Sequence, residues 1–315
     1  MKNIIVTGGA GFIGSHVVDK IVDSGLYKVI VIDNLLGSNF SPPFFKNEKV
    51  IYEYGDVSNY MQMKVVFEKY SPYYVIHLAA NGNVPLSDVY PSVDFNSNAL
   101  GSFNILNLSK DYNVKKVVYA STAAVYGEPI YTPIDEKHVL GPISNYGVSK
   151  LYGEQLARAY SKTYDLPFTA FRIFNTYGPR QPRYVLFDLI KKLKNDKENL
   201  EVLGTGAQIR DYAYVSDTAE VFFKALDNEK SNNNVYNIAG GNPISIKELV
   251  ELICNVYEIS PRINYTGKSW RGDINNLTAN IERLKEDFDF NPQVNIHKGV
   301  RKTIEWFIEN RNFIE

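Results

Sequence analysis

Tyr146 and Lys150 are the residues whose types and spacing most clearly suggest chemistry. They lie four positions apart in NYGVSKLYGEQLARAY, a stretch predicted to be helical, so they share one helix face. A free tyrosine has a pKa of about 10 and is a poor base near neutral pH, but a neighbouring ammonium lowers that pKa. Thr122, which ends an earlier strand, can bond the same substrate oxygen. The three side chains suggest removal of a hydroxyl proton, although this tyrosine–lysine spacing also occurs as an ordinary surface pair.

The first fourteen residues, MKNIIVTGGAGFIG, predict an element that would hold a dinucleotide. An apolar strand leads into a glycine-rich turn, and a helix follows. Glycines let the backbone approach a pyrophosphate, whose charge then lies at the N-terminus of the helix. We therefore expect cofactor contacts from Gly8, Gly11, Phe12, Ile13 and Gly14.

Asp33 ends the next predicted strand, KVIVID, nineteen positions after Gly14. A carboxylate there accepts hydrogen bonds from the adenosine ribose and repels a 2′-phosphate. No arginine follows it in NLLGSN, so the sequence predicts NAD rather than NADP, with Asn34 as a further contact. Asp33 favours dinucleotide binding over the alternative of a simple glycine-rich turn.

Strands alternate with helices across the first half of the chain, which predicts an α/β fold with a doubly wound parallel sheet of the Rossmann type. Ligands of such sheets bind at the carboxyl ends of the strands. Small or acidic residues follow two of the predicted strands, Asp56 and Val57 after one and Leu78, Ala79 and Ala80 after another. We expect all five to contact the cofactor. Asp56 can bond the adenine amine, whereas helix–strand packing explains the two alanines nearly as well.

The second half is richer in Gly, Pro and Asn and predicts a smaller, discontinuous α/β lobe for substrate. We assign residues 1–174 mainly to the cofactor domain, with a returning segment near 205–242, and residues 175–204 and 243–315 mainly to the substrate lobe. The turn formers and cations of Arg172 to Arg183 predict a loop. Asp217 is predicted to be an N-cap, and Ser245 with Glu248 to be a capping box.

Composition argues against several classes of function. The 315 residues carry a net charge of −1 without a basic stripe, so nucleic acid is not an expected partner. No apolar run is long enough to span a bilayer, and we expect a cytoplasmic protein. The single cysteine, Cys254, excludes an internal disulfide and a cysteine metal cluster, and the four histidines lack metal-ligand spacing. We therefore expect no metal site.

The ordered motifs TGGAGFIG, GDV, HLAA, STAAVYG, YGVSK, FNTYGPRQ, RDYAYVSD and GDINNLTAN resemble the extended short-chain dehydrogenase/reductases, specifically the nucleotide-sugar epimerases and dehydratases. The resemblance covers nearly the whole chain. It implies that Tyr146 is the catalytic base, that Thr122 is its hydroxyl partner and that Lys150 bonds the nicotinamide ribose. Asn98 would support the lysine, its alternative being an ordinary helix-surface residue. A homodimer is also implied, formed by the helix after Asn98 and the helix that carries Tyr146.

The resemblance also implies a set of substrate-binding residues in the second half: Asn175, Arg210, Lys268, Arg271, Asp273 and Leu277. Asn175 and Arg210 would bind the diphosphate of a UDP-sugar, although Arg210 could instead pair with Asp211. Trp270 stands where many relatives carry an arginine, so the second diphosphate contact is either Lys268 or Arg271. Leu277 stands where relatives restricted to plain hexoses have a bulky tyrosine, which predicts room for an N-acetyl group.

Ala123 and Ala124 stand where the 4,6-dehydratases carry an Asp-Glu pair. Methyl groups cannot transfer protons, so the sequence predicts NAD-dependent 4-epimerisation of a UDP-hexose, UDP-glucose or UDP-galactose, through a 4-keto intermediate. Epimerisation of UDP-glucuronate or of a UDP-N-acetylhexosamine, another nucleotide-sugar dehydration or decarboxylation, and an NAD(H)-sensing module without catalysis are the alternatives.

Overall fold

A computed structural model describes residues 1–37, 49–268 and 274–310. Its strands are β1 (Lys2–Thr7), β2 (Tyr27–Asp33), β3 (Val50–Tyr54), β4 (Tyr74–His77), β5 (Lys116–Thr122), β6 (Phe168–Ile173), β7 (Asn175–Tyr177), β8 (Asn199–Val202), β9 (Ile209–Arg210), β10 (Tyr212–Tyr214), β11 (Asn234–Ile238), β12 (Ile244–Ser245), β13 (Arg262–Tyr265) and β14 (Asn276–Leu277). Seven of them form one sheet in the order β11-β6-β5-β4-β1-β2-β3, with every neighbouring pair parallel. The strand order reverses between β1 and β4. The predicted doubly wound parallel sheet is confirmed.

Helices cover both faces of this sheet, as parallel strands with crossover connections require. They are α1 (Phe12–Ser24), α2 (Tyr60–Tyr70), α3 (Val84–Val89), α4 (Pro91–Asp94), α5 (Gly101–Asp111), α6 (Asn145–Tyr164), α7 (Val185–Asn195), α8 (Val215–Lys224), α9 (Ile246–Tyr257), α10 (Glu282–Phe288) and α11 (Ile296–Glu309). Apolar side chains of α1, α8 and α10 form the core on one face, and those of α2, α5 and α6 form the core on the other. A π-helical segment, Phe95–Leu100, joins α4 to α5. In the part of the chain that the structure describes, no helix is long and apolar enough to cross a membrane.

Apart from the two apolar cores on the faces of the sheet, a separate core lies among α7, α9, α11 and the short strands of the second half. We call it the second core, after the half of the chain that forms it. There β9 pairs with both β12 and β14, and β13 pairs with β8. A smaller apolar cluster joins this region to the sheet, because Ala123 and Tyr126 after β5 pack with Ala279 and Ile281 after β14. The division of the chain at the residue boundaries given above stays a prediction.

Two local predictions in the second half were wrong. The segment from Arg172 to Arg183 contains the end of β6 and the strand β7, which pairs in parallel with β10. Asp217 does not cap α8; its Oδ2 accepts hydrogen bonds from the backbone N–H groups of Gln293 and Val294, each at 3.0 Å. In both cases the partner is far away in sequence and invisible to local composition. The capping box at Ser245, whose contacts are local, is confirmed.

Lys116 is a buried cation at the amino edge of the sheet, far from the carboxyl ends of the strands. Its side chain is 3% exposed, and Nζ donates hydrogen bonds to Asn228 O at 2.9 Å and Ser231 Oγ at 2.8 Å. Burial lowers its pKa to about 7. An unfolded lysine has a pKa of about 10.4, so the unfolded chain binds more protons between these values, and Lys116 makes stability rise with pH in that window.

We therefore expect Lys116→Met to remove this pH dependence. The unfolding free energy of the wild type should gain up to a few kcal/mol relative to the variant as pH rises from about 7 to about 10, because the cost of the buried charge disappears. Urea unfolding of both proteins across this range measures the difference. Lys115→Met, at the exposed neighbouring position, is the control. A difference in unfolding free energy between the wild type and Lys116→Met that stays constant with pH would contradict the prediction.

Candidate active site

A cavity of about 650 Å³ lies at the carboxyl ends of the sheet strands and extends to the second core. Its floor includes the ends of β1 and β4, between which the strand order reverses, the usual ligand position in such sheets. The predicted residues that line it are Gly8, Gly11, Phe12, Ile13, Gly14, Asp33, Asn34, Asp56, Val57, Leu78, Ala79, Ala80, Thr122, Tyr146, Lys150, Asn175, Arg210 and Leu277.

Two predicted residues that the structure describes, Asn98 and Lys268, do not line the cavity. Asn98 is fully buried behind the cavity wall. Lys268 is exposed, in the segment after β13, and its backbone oxygen accepts a hydrogen bond from Gly204 N. Arg271 and Asp273 lie outside the described residues, and so does the choice between Arg271 and Lys268 as a diphosphate contact.

The glycine-rich turn between β1 and α1 tolerates side chains poorly, as the sequence predicts for a pyrophosphate site. Gly8 has a φ of +70°, and a Cβ on it would lie 2.6 Å from Ala79 N. A Cβ on Gly14 would lie 2.0 Å from Gly8 O. The first backbone N–H groups of a helix have no hydrogen-bond partner within the helix. In α1 these groups belong to residues at the cavity wall. The turn therefore fits the pyrophosphate of NAD.

Asp33 fixes the turn and faces the same end of the cavity. Its Oδ2 accepts a hydrogen bond from Ala10 N at 3.0 Å, and its Oδ1 accepts one from Leu35 N at 2.8 Å. Burial raises the pKa of this carboxyl group, and the two N–H donors oppose that shift. The side chain thus combines a structural role in the turn with an acceptor at the position where the sequence predicts the adenosine ribose.

Asp56 and Asn34 form the adjacent part of this wall. Asn34 Nδ2 donates a hydrogen bond to Asp56 Oδ2 at 2.9 Å, and the Ser58 hydroxyl donates one to Asp56 Oδ1 at 2.7 Å. Burial alone would raise the pKa of Asp56, but hydrogen bonds from Ser58 and Asn34 outweigh it and lower the pKa. A carboxylate is therefore held at the end of β3, where an adenine amine can be bound.

We expect Asp33→Ala to weaken NAD binding by about 10- to 100-fold and to narrow the preference for NAD over NADP, since one carboxylate both accepts from the ribose and repels a 2′-phosphate. The dissociation constants of both dinucleotides measure this. Asp33→Asn is the control, because it keeps an oxygen for Ala10 N or Leu35 N but removes the charge. Equal affinities of the wild type for NAD and NADP would refute the role given to Asp33.

Thr122 and Tyr146 come together because α6 begins against the turn after β5. Ser144 caps α6, its hydroxyl accepting from Gly147 N at 3.1 Å. A Cβ on Gly147 would lie 2.7 Å from Ala124 O, so only glycine permits this approach. Thr122 Oγ1 accepts a hydrogen bond from Ala124 N at 3.2 Å, and both Thr122 and Tyr146 line the cavity.

The pKa of the Tyr146 hydroxyl is governed by opposing effects. Burial and the nearby Tyr184 raise it well above its ordinary value, and they outweigh the Thr122 side chain and the positive charge of Arg183, which lower it. The sequence suggested Lys150 as the cation that lowers this pKa. That expectation is wrong for this structure, because the pKa is raised: the cation that opposes the rise is Arg183, and the ammonium of Lys150 lies over the Tyr119 ring.

Lys150 is a buried cation at the cavity wall. It is 2% exposed, and its Nζ lies 4.5 Å from the centroid of the Tyr119 ring. Burial lowers its pKa to about 7, and the charge of Asp94 opposes that shift. Nζ makes no hydrogen bond to any other residue that the structure describes, so its donors are available to a ligand hydroxyl.

Asn98 lies within the π-helical segment and connects the loop after β4 to α6. Its Nδ2 donates hydrogen bonds to Asp94 Oδ1 at 2.9 Å and Ser149 Oγ at 3.1 Å, and its Oδ1 accepts from Asn81 N at 2.8 Å. Any support it gives Lys150 is indirect, through Ser149 and Asp94. Asp94 was missed in the sequence, where its position four residues before Asn98 was the available signal.

The substrate end of the cavity carries buried acceptors without partners. Asn175 Oδ1 and Gln181 Oε1 make no hydrogen bond within the described residues, and both side chains line the cavity. A buried unsatisfied polar group costs about 1–3 kcal/mol, so these atoms favour a ligand with donors. Asp211 accepts a hydrogen bond from Gly241 N at 2.8 Å, not from Arg210. The pairing of β9 with β14 places Leu277 opposite Arg210.

Arg183 and Tyr184 also line the cavity and were not among the predicted site residues. The Tyr184 hydroxyl donates a hydrogen bond to Gly82 O, which joins the loop after β7 to the loop after β4. The Arg183 guanidinium lies 5.5 Å from the centroid of the Tyr184 ring. No local signal identifies these residues, because the two loops are about a hundred positions apart in the chain.

Known proteins share both the sequence pattern and the fold. Residues 4–239 match the family described as the NAD dependent epimerase/dehydratase family. The chain is 31% identical over 324 residues to a UDP-glucuronate 4-epimerase of Thermodesulfobacterium geofontis, covering 100% of this chain and 99% of that protein.

Two solved structures of 4-epimerases are similar over nearly the whole chain. One is a UDP-glucose 4-epimerase from Thermotoga maritima with UDP-glucose, with a TM-score of 0.90, 32% identity and coverage of 98% of this chain and 99% of that one. The other is a UDP-N-acetylglucosamine 4-epimerase from Methanobrevibacter ruminantium in complex with UDP-N-acetylmuramic acid, with a TM-score of 0.89, 31% identity and the same coverage. These three epimerases are named for three different sugars: glucuronate, glucose and N-acetylglucosamine.

Proposed function

The chain belongs to the NAD-dependent epimerase/dehydratase family, and from this premise we propose that it interconverts UDP-glucose and UDP-galactose by epimerisation at C4. The observation that carries the proposal is the cavity wall beside Thr122, which is formed by Ala123 and Ala124. Their methyl groups can neither donate nor accept a proton, so the site is suited to oxidation and return at one carbon.

Each catalytic side chain has one role in this proposal. Tyr146 as the phenolate takes the proton of the sugar C4 hydroxyl and as the phenol later returns it, and Thr122 hydrogen-bonds the same oxygen. Lys150 holds the nicotinamide ribose by its ammonium group. Bound NAD supplies the acceptor and donor of the C4 hydride. The cavity gives the 4-keto sugar space to turn before reduction on its other face.

A 4,6-dehydratase needs further acid and base groups beside the sugar, and the described part of the cavity wall does not provide them next to Thr122. The carboxylates among its described lining residues are Asp33, Asp56 and Asp88. Asp33 ends β2 and Asp56 follows β3, both on the other side of β1 from β5. Asp88 is exposed and accepts a hydrogen bond from Asn145 Nδ2 at 3.0 Å. This arrangement of carboxylates favours epimerisation over 4,6-dehydration.

Incubation of the purified protein with UDP-galactose, without added cofactor and then with NAD, tests the proposal. We expect UDP-glucose as the product, detected by proton NMR of the anomeric signals. A 4-keto-6-deoxy sugar as the product would instead identify a dehydratase. Binding of NAD(H) with no turnover of any UDP-, dTDP- or GDP-sugar in a panel would favour a sensing module.

We also propose that the protein is a cytoplasmic homodimer. Support for the dimer comes from large apolar side chains exposed on neighbouring helices, namely Val93, Phe95, Phe103, Val148 and Tyr152. Two copies of this surface would bury these side chains from water. Sedimentation equilibrium measures whether the protein is a dimer. The proposed substrate pair, UDP-glucose and UDP-galactose, implies a cellular role in galactose metabolism.

Leu277 favours a second substrate, UDP-N-acetylglucosamine. The side chain lines the cavity on β14, opposite Arg210, and an isobutyl group leaves more room than a tyrosine ring. We expect wild-type activity on both sugars and a selective loss of the N-acetylated one in Leu277→Tyr. Pocket contacts of this size change selectivity by about 1–3 kcal/mol, or roughly 10- to 100-fold.

The ratio of kcat/KM for the two sugars measures this effect. Leu277→Met, which is close in volume, is the matched control and should keep the wild-type ratio. Equal losses on both sugars in Leu277→Tyr, or no wild-type activity on UDP-N-acetylglucosamine, would contradict the position of Leu277 beside the sugar.

A further inference from the structure

The separation of Thr122 from Tyr146 depends on how α6 lies along β5. Thr122 is the last residue of β5, whereas Tyr146 lies in the first turn of α6. A shift of the helix by one residue would move the tyrosine by about 1.5 Å, and a misplacement of about 1 Å can reduce catalysis about 100-fold. Contacts that fix the helix along the strand therefore bear on catalysis.

Two side-chain hydrogen bonds fix α6 against β5. The Tyr119 hydroxyl donates to Lys150 O at 3.1 Å, and the Ser121 hydroxyl donates to Glu154 Oε2 at 3.0 Å. Gly153 permits the close packing between them, because a Cβ there would lie 2.3 Å from the Tyr119 hydroxyl oxygen. Ser121 immediately precedes Thr122, and Glu154 lies two turns after Tyr146 on the same helix face.

Arg172 holds the Glu154 carboxylate from the next strand. Its Nη2 donates to Glu154 Oε1 at 2.6 Å, and its Nε donates to Glu154 Oε2 at 3.0 Å. The parallel pairing of β5 with β6 places Arg172 directly opposite Ser121. Glu154 and Arg172 are 0% and 2% exposed. A two-point ion pair of this kind defines both the position and the orientation of the carboxylate.

The same network extends from Arg172 to the segment that follows β14. Arg172 Nη1 donates to the Tyr126 hydroxyl at 3.0 Å, and that hydroxyl donates to Asn237 Oδ1 at 2.6 Å. Asn237 Nδ2 in turn donates to Ile134 O at 2.9 Å and Asn280 O at 3.2 Å. Asn280 lies three residues after the end of β14, so one buried network connects the catalytic helix with the segment that carries the proposed sugar contact.

We propose that Glu154 is a positioning residue for catalysis, which fixes α6 along β5 through Ser121 and so sets the separation of the Thr122 and Tyr146 hydroxyl groups. The proposal rests on the use of Thr122 and Tyr146 as the reacting pair in the proposed function. Glu154 itself is not among the described residues that line the cavity.

Ser121→Ala tests the proposal, because it removes one hydrogen bond and leaves the Glu154–Arg172 pair intact. We expect kcat on UDP-galactose to fall about 10-fold with KM changed less than about 2-fold, since the misplacement affects the reacting pair and not substrate affinity. Ser121→Thr keeps a hydroxyl group and should restore most of the loss. Ser109→Ala is the matched control: Ser109 is 0% exposed, and within the described residues its hydroxyl has no hydrogen-bond partner.

Glu154→Gln leaves a buried arginine without a counter-charge and is expected to lower Tm severely, so the Ser121 variants decide the question. Wild-type kcat in Ser121→Ala, an equal loss in Ser109→Ala, or no recovery in Ser121→Thr would overturn the proposal. Crystal structures of the wild type and Ser121→Ala provide a readout independent of turnover. We expect the Thr122 Oγ1 to Tyr146 hydroxyl distance to change, and an unchanged distance would refute positioning even if the wild type does not epimerise UDP-hexoses.

Discussion

Tyr146→Phe is expected to lower turnover of UDP-galactose by about 100- to 10,000-fold while leaving the affinity for NAD nearly unchanged. The substitution removes only the phenolic oxygen, which in the proposed mechanism takes, as the phenolate, the proton of the reacting sugar oxygen. The ring remains to fill the space at the start of α6. The cofactor pyrophosphate is expected at the turn between β1 and α1, away from this hydroxyl, so its binding should persist.

Steady-state kinetics and a titration of NAD binding measure the two effects separately. Tyr164→Phe is the matched control, since Tyr164 lies on the same helix with its side chain 51% exposed, and this variant should keep wild-type kinetics. Turnover of Tyr146→Phe at the wild-type rate would show that another group carries the proton and would end the proposed mechanism.

The sequence could predict that the residues assigned to the cofactor meet at one cavity, because their determinants are local. The glycine turn, the strand before it and the helix after it are consecutive, and Asp33 ends the next strand. Parallel topology then brings strand ends together at one edge. The same logic placed Thr122 at that edge. The spacing of Tyr146 and Lys150 placed both on one helix face, and both line the same cavity.

The parts that sequence reasoning missed depend on contacts between distant segments. Arg183, not Lys150, is the cation that partly opposes the raised pKa of Tyr146, because the loop after β7 reaches across to Gly82. Glu154 and Arg172 are eighteen residues apart on different elements, and neither has a local pattern that identifies a buried ion pair. The pairing of β7 with β10 is equally non-local. Periodicity describes which face of an element is buried, but it contains no information on which element covers that face.

Lys150 illustrates how a site can be chemically suited to its task at the expense of stability. An ammonium that is 2% exposed, and whose pKa is lowered to about 7, is held in the folded protein against the cost of burying its charge. The unfolded chain binds this proton up to about pH 10.4, so the group lowers stability most at low pH and less as pH rises. Function would explain why such a group is kept.

Lys150→Met is therefore expected to change activity and stability in opposite directions. Turnover of UDP-galactose should fall about 100-fold or more and NAD affinity about 10-fold, because the donors proposed to hold the nicotinamide ribose are lost. The free energy of unfolding at about pH 7 should stay constant or increase, because an apolar side chain replaces a buried ammonium.

Lys116→Met is the matched control, since Lys116 is also a buried lysine with a pKa lowered to about 7, but at the opposite edge of the sheet. It should reproduce the effect on stability and leave turnover and NAD affinity at wild-type values. Wild-type turnover together with wild-type NAD affinity in Lys150→Met would show that this lysine is only a core residue of α6.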